Sequence, residues 1–126
     1  YAKAKAGGGR WVDGDLEESE LTELCRAYWA YHRARCAGDE REAERHLWAW
    51  ERVDAIGSGR PGTEPIDRVR ILSALAEAAG DDQQALAFLG AGPVEDCLNR
   101  GRPDRERLEA AALRSDRLRR AIGYAR

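Results

Sequence analysis

His32 and Cys36 stand four residues apart, and together with His46 they come nearest to a metal-binding pattern in this 126-residue chain. On a helix, residues four apart share one face. A tight reversal at Gly38 would bring position 46 opposite position 32, so the three side chains can converge. Imidazole and thiolate are ligands zinc prefers, but a structural site takes four of them and a catalytic site three plus water. Glu42 is the only obvious further oxygen on the facing turn. The simpler expectation is that two histidines and a thiol line a hairpin interface. No metal or cofactor is therefore assigned, and His32, Cys36 and His46 are kept as a candidate set.

Other chemistries have less to stand on. There is no Gly-x-Ser-x-Gly, and Ser19, Ser58, Ser73 and Ser115 fall at expected helix starts, in a loop or on the third helix. A Cys–His dyad would have to pair His32 with Cys25 or Cys36 along a single helix. Cys25 is then too distant, and Cys36 is either in solvent or held in packing. Cys25 and Cys36 are about 16 Å apart along a helix axis, too far to bridge. With Cys97 left over and no C-x-x-C, the expectation is three reduced thiols. The many carboxylates fit the solvated faces of amphipathic helices. The residues point away from an enzyme.

Charge is more informative than its sum of −2. Residues 1–99 carry 12 basic and 19 acidic side chains, whereas 100–126 carry 9 arginines and 4 acids, so a front of −7 meets an end of +5. Arg114, Arg117, Arg119 and Arg120 form a basic patch that can meet nucleic-acid phosphate. Interspersed acids, near-absence of lysine and the lack of a recognition-helix signature favour a different use. The arginines are expected to pair with acidic helices one and two of the same domain or of a neighbour.

The elements that must position these residues all read as helices. Residues 1–14 are glycine-rich and aperiodic, expected as a flexible segment or remnant outside the fold; residues 15–126 are expected to form one helical domain. Asp15 with Glu18, or Ser19, caps a first helix whose stripe Leu21, Leu24, Cys25, Tyr28, Tyr31 and His32 runs to Gly38. Asp39 with Glu42 starts a second helix ending at Gly57, giving an antiparallel hairpin. Two glycines and two prolines in 58–65 predict the one long internal loop. A third helix runs from Pro65 to Gly80, a fourth from Asp81 and Gln84 to Leu89, a fifth from Pro93 to Gly101 and a sixth from Pro103 to Leu113. Ser115 caps a last turn or two. No alternation of strand type competes. The prediction is an all-α bundle of six or seven helices in consecutive hairpins. No apolar run approaches the ~20 residues needed to cross a bilayer, and no apolar leader is visible, so a soluble, cytoplasmic protein with no membrane partner is expected.

Trp48 and Trp50 point to different sides of the second helix, which suggests that this helix is central. Trp50 joins the Leu47 and Val53 stripe and reads as core. Trp48 lies among Glu44, Arg45, Glu51 and Arg52, either covered by later helices or serving as an aromatic anchor for a partner.

The string Gly90-Ala91-Gly92-Pro93-Val94-Glu95-Asp96 resembles the Gly-Ala-Gly-Pro-Leu-Glu signature of a bacterial domain family of unknown function. Leu47-Trp48-Ala49-Trp50-Glu51-Arg52-Val53-Asp54 is similar to that family's second landmark, and Tyr28 to Tyr31 fits its first helix. Val94 in place of leucine and the loop at 58–65 depart from the pattern. The resemblance implies a small helical bacterial domain spanning roughly residues 19–125 and no activity. Physically, the string reads as a helix-to-helix corner: Gly90 left-handed at a helix end, Gly92 as N-cap, Pro93 in the first turn and Glu95 reaching back to cap. Asp96 then adds charge favourable to the helix start. Anion binding by the glycine amides is disfavoured, because two carboxylates already occupy the site and no Lys-Ser/Thr pair follows.

These residues together predict a non-catalytic helical module that binds another protein through Trp48, the exposed faces of the first two helices and the arginine end. One specialised form is an immunity or inhibitor protein against a bacterial effector. A nucleic-acid-binding regulatory role through residues 100–126 is the alternative.

Overall fold

The computed structural model describes residues 17–57 and 65–125. The flexible segment expected at 1–14 and the loop expected after Gly57 lie outside the described residues. Helices α1 (Glu18–Ala37), α2 (Glu40–Gly57), α3 (Pro65–Ala79) and α4 (Gln83–Leu89) are followed by a π-helical turn (Gly90–Val94). Then come α5 (Glu95–Leu98), α6 (Arg102–Ala112) and α7 (Asp116–Ile122). Every regular element among the described residues is helical. The fold is an all-α bundle, and α4, the π turn and α5 run on as one rod.

Local chemistry explains most boundaries. Glu17, rather than Asp15 or Ser19, caps α1: its side chain accepts from the Glu20 backbone while the Glu20 carboxylate accepts from the Glu17 N–H at 3.0 Å. This reciprocal box satisfies two otherwise orphaned donors. Asp15 lies outside the described residues. Gly38 closes α1 at φ 76°, a left-handed position that favours glycine, and the Asp39 side chain immediately caps α2 through the Glu42 N–H at 3.1 Å. Gly80, at φ 66°, ends α3. The cap of α4 is Asp82 and not Asp81, since Asp82 accepts from the Gln84 and Ala85 amides at 3.0 and 3.1 Å. Ser115 caps α7 through Leu118 N–H at 3.1 Å, as expected.

The corner predicted at Gly90–Glu95 does not form. Gly90 is right-handed (φ −66°, ψ −42°), Gly92 caps nothing, and Glu95 continues the helix (φ −62°, ψ −42°). Pro93 is accommodated because a π turn has already displaced the backbone ladder that its missing N–H would break. The glycine at position 90 answers a packing demand. A Cβ there would stand 2.0 Å from the Ala121 carbonyl oxygen and 2.8 Å from Tyr124 Cβ, so the rod and α7 meet backbone to backbone at this point.

The core is one hydrophobic cluster that includes Leu24, Tyr28, Leu75, Leu86, Leu89, Val94, Leu108 and Leu118. The second helix is not the central one: α3 packs against α1, α4, α6 and α7, and α1 is the more buried arm of the first hairpin. Eight of its residues are buried, among them Leu21, Ala27, Trp29 and His32, because α2 packs on one side and α3 on the other. Trp29 lies outside the predicted stripe yet is 5% exposed, and its indole N–H donates to the Leu75 carbonyl at 3.0 Å, tying α1 to α3. Trp48 and Trp50 are both half-buried against the edge of the cluster.

One buried ion pair fastens α3 to α6. Arg68 Nη2 donates to both carboxylate oxygens of Asp104 at 2.9 and 2.8 Å, with side chains only 6% and 8% exposed. Arg100 Nε stands 3.8 Å from the same carboxylate.

Candidate functional site

The three metal-ligand candidates go to different tasks. His32 is buried between rings, edge-on to Trp29 with centroids 5.4 Å apart and 4.5 Å from Phe88. Burial pulls its pKa below 6.5 and Arg33 adds to this, while Asp82 opposes it. Cys36 is exposed, its sulfur 3.8 Å from His32 Nε2. His46 is paired within α2 to Glu42 at 3.0 Å, and that hydrogen bond, with Arg45, holds the Glu42 carboxyl below its ordinary range. No group of three or more His, Cys, Asp or Glu among the described residues is arranged to hold a metal ion. The remaining thiols are buried: desolvation pushes Cys25 up to about 12 and Cys97 to about 11, so neither is a ready thiolate near neutral pH.

The arginine patch is largely neutralised from within. Arg117 meets Glu77 at 3.1 Å and Asp81 at 3.5 Å; Arg120 meets Asp81 at 2.8 Å and Asp116 at 3.1 Å; Arg119 meets Asp116 at 2.7 Å. The acids come from the end of α3, the α3–α4 turn and α7 itself. Helices one and two, which charge alone suggested, do not supply them. Arginine contacts hold Asp81 below the usual carboxylate range, the Arg120 hydrogen bond contributing most. Arg114 is exposed and lies beside Val69, Arg107, Ala110 and Ala111.

A different place combines unsatisfied polarity with shape. Where the first hairpin meets the α4–π–α5 rod, a groove of about 260 Å³ opens between Tyr28, Trp50 and Val53 on one side and Phe88, Ala91, Gly92 and Pro93 on the other. Asp54 and Asp96 complete its lining. The π turn sets this geometry by carrying the Gly-Ala-Gly-Pro string past the hairpin without a break. A Cβ added to Gly92 would meet nothing within 4 Å, so the groove is open there.

Its electrostatics are lopsided. Tyr28 is 1% exposed, and its hydroxyl is buried with no hydrogen-bond partner. An orphaned hydroxyl costs on the order of 1–3 kcal/mol, so native folds rarely keep one idle. Burial raises the Tyr28 pKa and the Asp54 charge adds to it, with smaller contributions from Tyr31 and Asp96. Asp96 is itself raised, first by desolvation and then by Asp54 and Glu95. The groove thus gathers three aromatic rings, the Asp54 and Asp96 carboxylates and a buried hydroxyl without a hydrogen-bond partner.

Trp48 and Trp50 both pack against the core, and Trp50 also lines the groove. Tyr28, Phe88, Asp54 and Asp96 were not picked out as a group. Only the proximity of the Gly90–Asp96 string to Trp50 links them, and that proximity is tertiary.

A second groove, about 470 Å³, runs along Leu21, Cys25, Trp29 and Ala74. Its rim acids, Glu18 and Glu77, are each paired to an arginine, Arg70 and Arg117 respectively. No helix among the described residues is long and apolar enough to cross a membrane. The chain matches no protein-family model, no curated protein and no solved structure.

Proposed function

We propose that this chain is a non-catalytic helical module that binds another protein through the groove between the first hairpin and the α4–π–α5 rod. One observation carries the reading: Tyr28, Trp50 and Phe88 line a single open groove beside Asp54 and Asp96. Aromatic side chains supply large contact area at low entropic cost, and they dominate binding energy at interfaces. Both buried thiols are protonated near neutral pH, and no described cluster offers metal chemistry, so a binding role suits the residues better than a reaction. An inhibitor or immunity protein that seats a basic segment of an effector on these carboxylates is the specialised form of the same reading. The resemblance of residues 90–96 and 47–54 to the bacterial family of unknown function is part of this proposal and adds no activity to it.

Nucleic-acid binding through the arginine end is the weaker alternative, because Arg117, Arg119 and Arg120 already face carboxylates. The test is a pull-down with partners identified by mass spectrometry, comparing the parent chain with Trp50→Ala and Gly92→Leu. A specific partner should be lost with both variants. A partner set unchanged by either would remove the groove from the function. Retardation of DNA or RNA that weakens steeply with salt would instead revive the alternative.

A further inference from the structure

We propose that the groove on α6 between Arg107 and Arg114 receives the acidic stripe of α2 from a second copy of this chain. This contact is independent of the hairpin–rod groove. Unlike Arg117, Arg119 and Arg120, Arg107 and Arg114 have no hydrogen bond or ion pair among the described residues, and both are exposed. They flank a groove of about 220 Å³ whose remaining lining is Val69, Ala110 and Ala111, with no carboxylate. Residues seven apart share one face of a helix, about 10.5 Å apart along its axis. Ala110 and Ala111 fall midway between the two arginines, while Glu106 and Glu109 lie about 90° and 150° round the helix from that line.

The complement is carried by α2. Glu44 and Glu51 have the same spacing, both are exposed without a partner among the described residues, and Leu47 stands half-buried between them. Laid along α6 in either direction, α2 sets Glu44 and Glu51 against Arg107 and Arg114 while Leu47 meets the alanines, whose small side chains let the helices approach closely. Arg35 and Arg41 line a shallow groove with Glu40, Glu44 and Leu47 and reduce the negative charge at that end. Since α2 packs on α1 and the π turn, and α6 on α3, α5 and α7, the two surfaces lie on different sides of the bundle. Contact between copies is then heterologous. Arg26 and Arg33 on α1 share the seven-residue spacing, but Glu18 and Glu77 line that groove with them. Nucleic acid suits the α6 groove less well, because a phosphate backbone makes no use of its apolar floor. Exposed ion pairs contribute little each, so the self-association is weak, with a dissociation constant of about 0.1–1 mM.

The experiment is amide NMR of the full chain on dilution from about 1 mM to about 20 μM, with sedimentation velocity in parallel. Signals of residues 44–51 and 107–114 should move together, and the average mass should fall toward the monomer. Added salt should do the same. Arg107→Glu with Arg114→Glu, or Glu44→Lys with Glu51→Lys, should each weaken association by about tenfold, because like charges then face one another. The four side chains are exposed, so melting curves should stay near the parent. Mixing the two reversed chains, or combining all four substitutions in one chain, should restore association. A monomer at every concentration, an association unchanged by either reversal, or no recovery in the chain with all four substitutions would overturn the proposal. Retardation of a DNA duplex that is lost with Arg107→Glu and Arg114→Glu, in a chain that stays monomeric, would overturn it in favour of nucleic acid. Both reversals leave Trp50 and Gly92 in place, so failure here does not bear on the hairpin–rod groove.

Discussion

The C-terminal arginines and the groove carboxylates are opposite answers to the same problem of placing charge on a small helical bundle. Around α7, every strongly placed cation meets an anion: Arg117 and Arg120 share Asp81, and Arg119 and Arg120 share Asp116. Their neighbours lower the pKa of both acids, the signature of compensated charge. In the groove the sign reverses. Asp96 is raised by desolvation and by its acidic neighbours, and it has no cationic partner among the described residues. A region that looks functional from its composition is internally satisfied, whereas Asp96, on a stretch that looks structural, is surrounded by acids. Exposed charge marks a binding site only after the partners within the fold have been subtracted.

The largest test of the first half of that contrast is Asp104. Its carboxylate accepts twice from a buried guanidinium, so Asp104→Ala removes both of those bonds from a charge held inside the bundle. Chemical denaturation should show a loss of about 3–5 kcal/mol, the usual result of breaking one side of a buried pair. Joint replacement by Arg68→Met and Asp104→Leu should recover most of it, because an apolar pair of similar volume leaves no charge uncompensated. A loss under ~1 kcal/mol in the single variant would mean that water already reaches the pair and that the arginines are less committed than their distances imply.

Next comes the seam that holds the groove's far wall in place. Gly90→Ala would force the rod away from the Ala121 carbonyl, which is backbone and cannot swing aside. A loss of about 1–3 kcal/mol is expected, as for other overpacked contacts. Gly92→Ala, two residues on and facing open space, should be nearly silent in the same melt. Equal effects at the two glycines would break the distinction between a packed face and an open one.

How much of this was legible from residue order follows the range of the interactions involved. Gly38 with Asp39, and Ser115 before Leu118, were readable because their chemistry closes within four residues. Gly90 and Pro93 were misread for the same reason: locally they are punctuation, and only contact with α7, some thirty residues on, explains a glycine that is not a turn. The arginine end announced that it would find acids but not which ones, since α3 and its following turn reach it only in the folded bundle. Spacing separated the directions of Trp48 and Trp50 but could not say which direction would remain open. The groove was invisible because residues 28, 50, 54, 88 and 96 share no period; their meeting is a property of the packing.

A smaller effect is expected at Asp81. Its folded pKa lies below the ordinary 3.8, so its contacts stabilise above that value and are lost as pH falls through the lowered one. Asp81→Asn should therefore reduce the melting temperature modestly near neutral pH, and the two curves should converge in acid. High salt should narrow the difference as well, since the side chain is exposed. The variant also takes one carboxylate from Arg117 and Arg120, which keep Glu77 and Asp116, so any retardation of DNA at low salt should strengthen only slightly. A difference that persists below pH 3 would mean that Asp81 acts by something other than its charge.

The smallest shift, and the sharpest contrast with Asp81, belongs to Asp96. Its raised pKa means that the charged form is disfavoured on folding, so any penalty is fully present above the folded pKa and relieved as pH falls through it. No helix terminus compensates, because Val94 and Glu95 continue one helical rod and Asp96 sits within it. Asp96→Asn should accordingly be neutral or stabilising near pH 7, within about 0.5 kcal/mol, and should lose any gain in acid. The same exchange of Asp for Asn thus lowers stability beside α7 and does not lower it in the groove. If Asp96→Asn were instead destabilising at neutral pH, the carboxylate would already have a favourable partner in the free protein, and the contrast with Asp81 would fail.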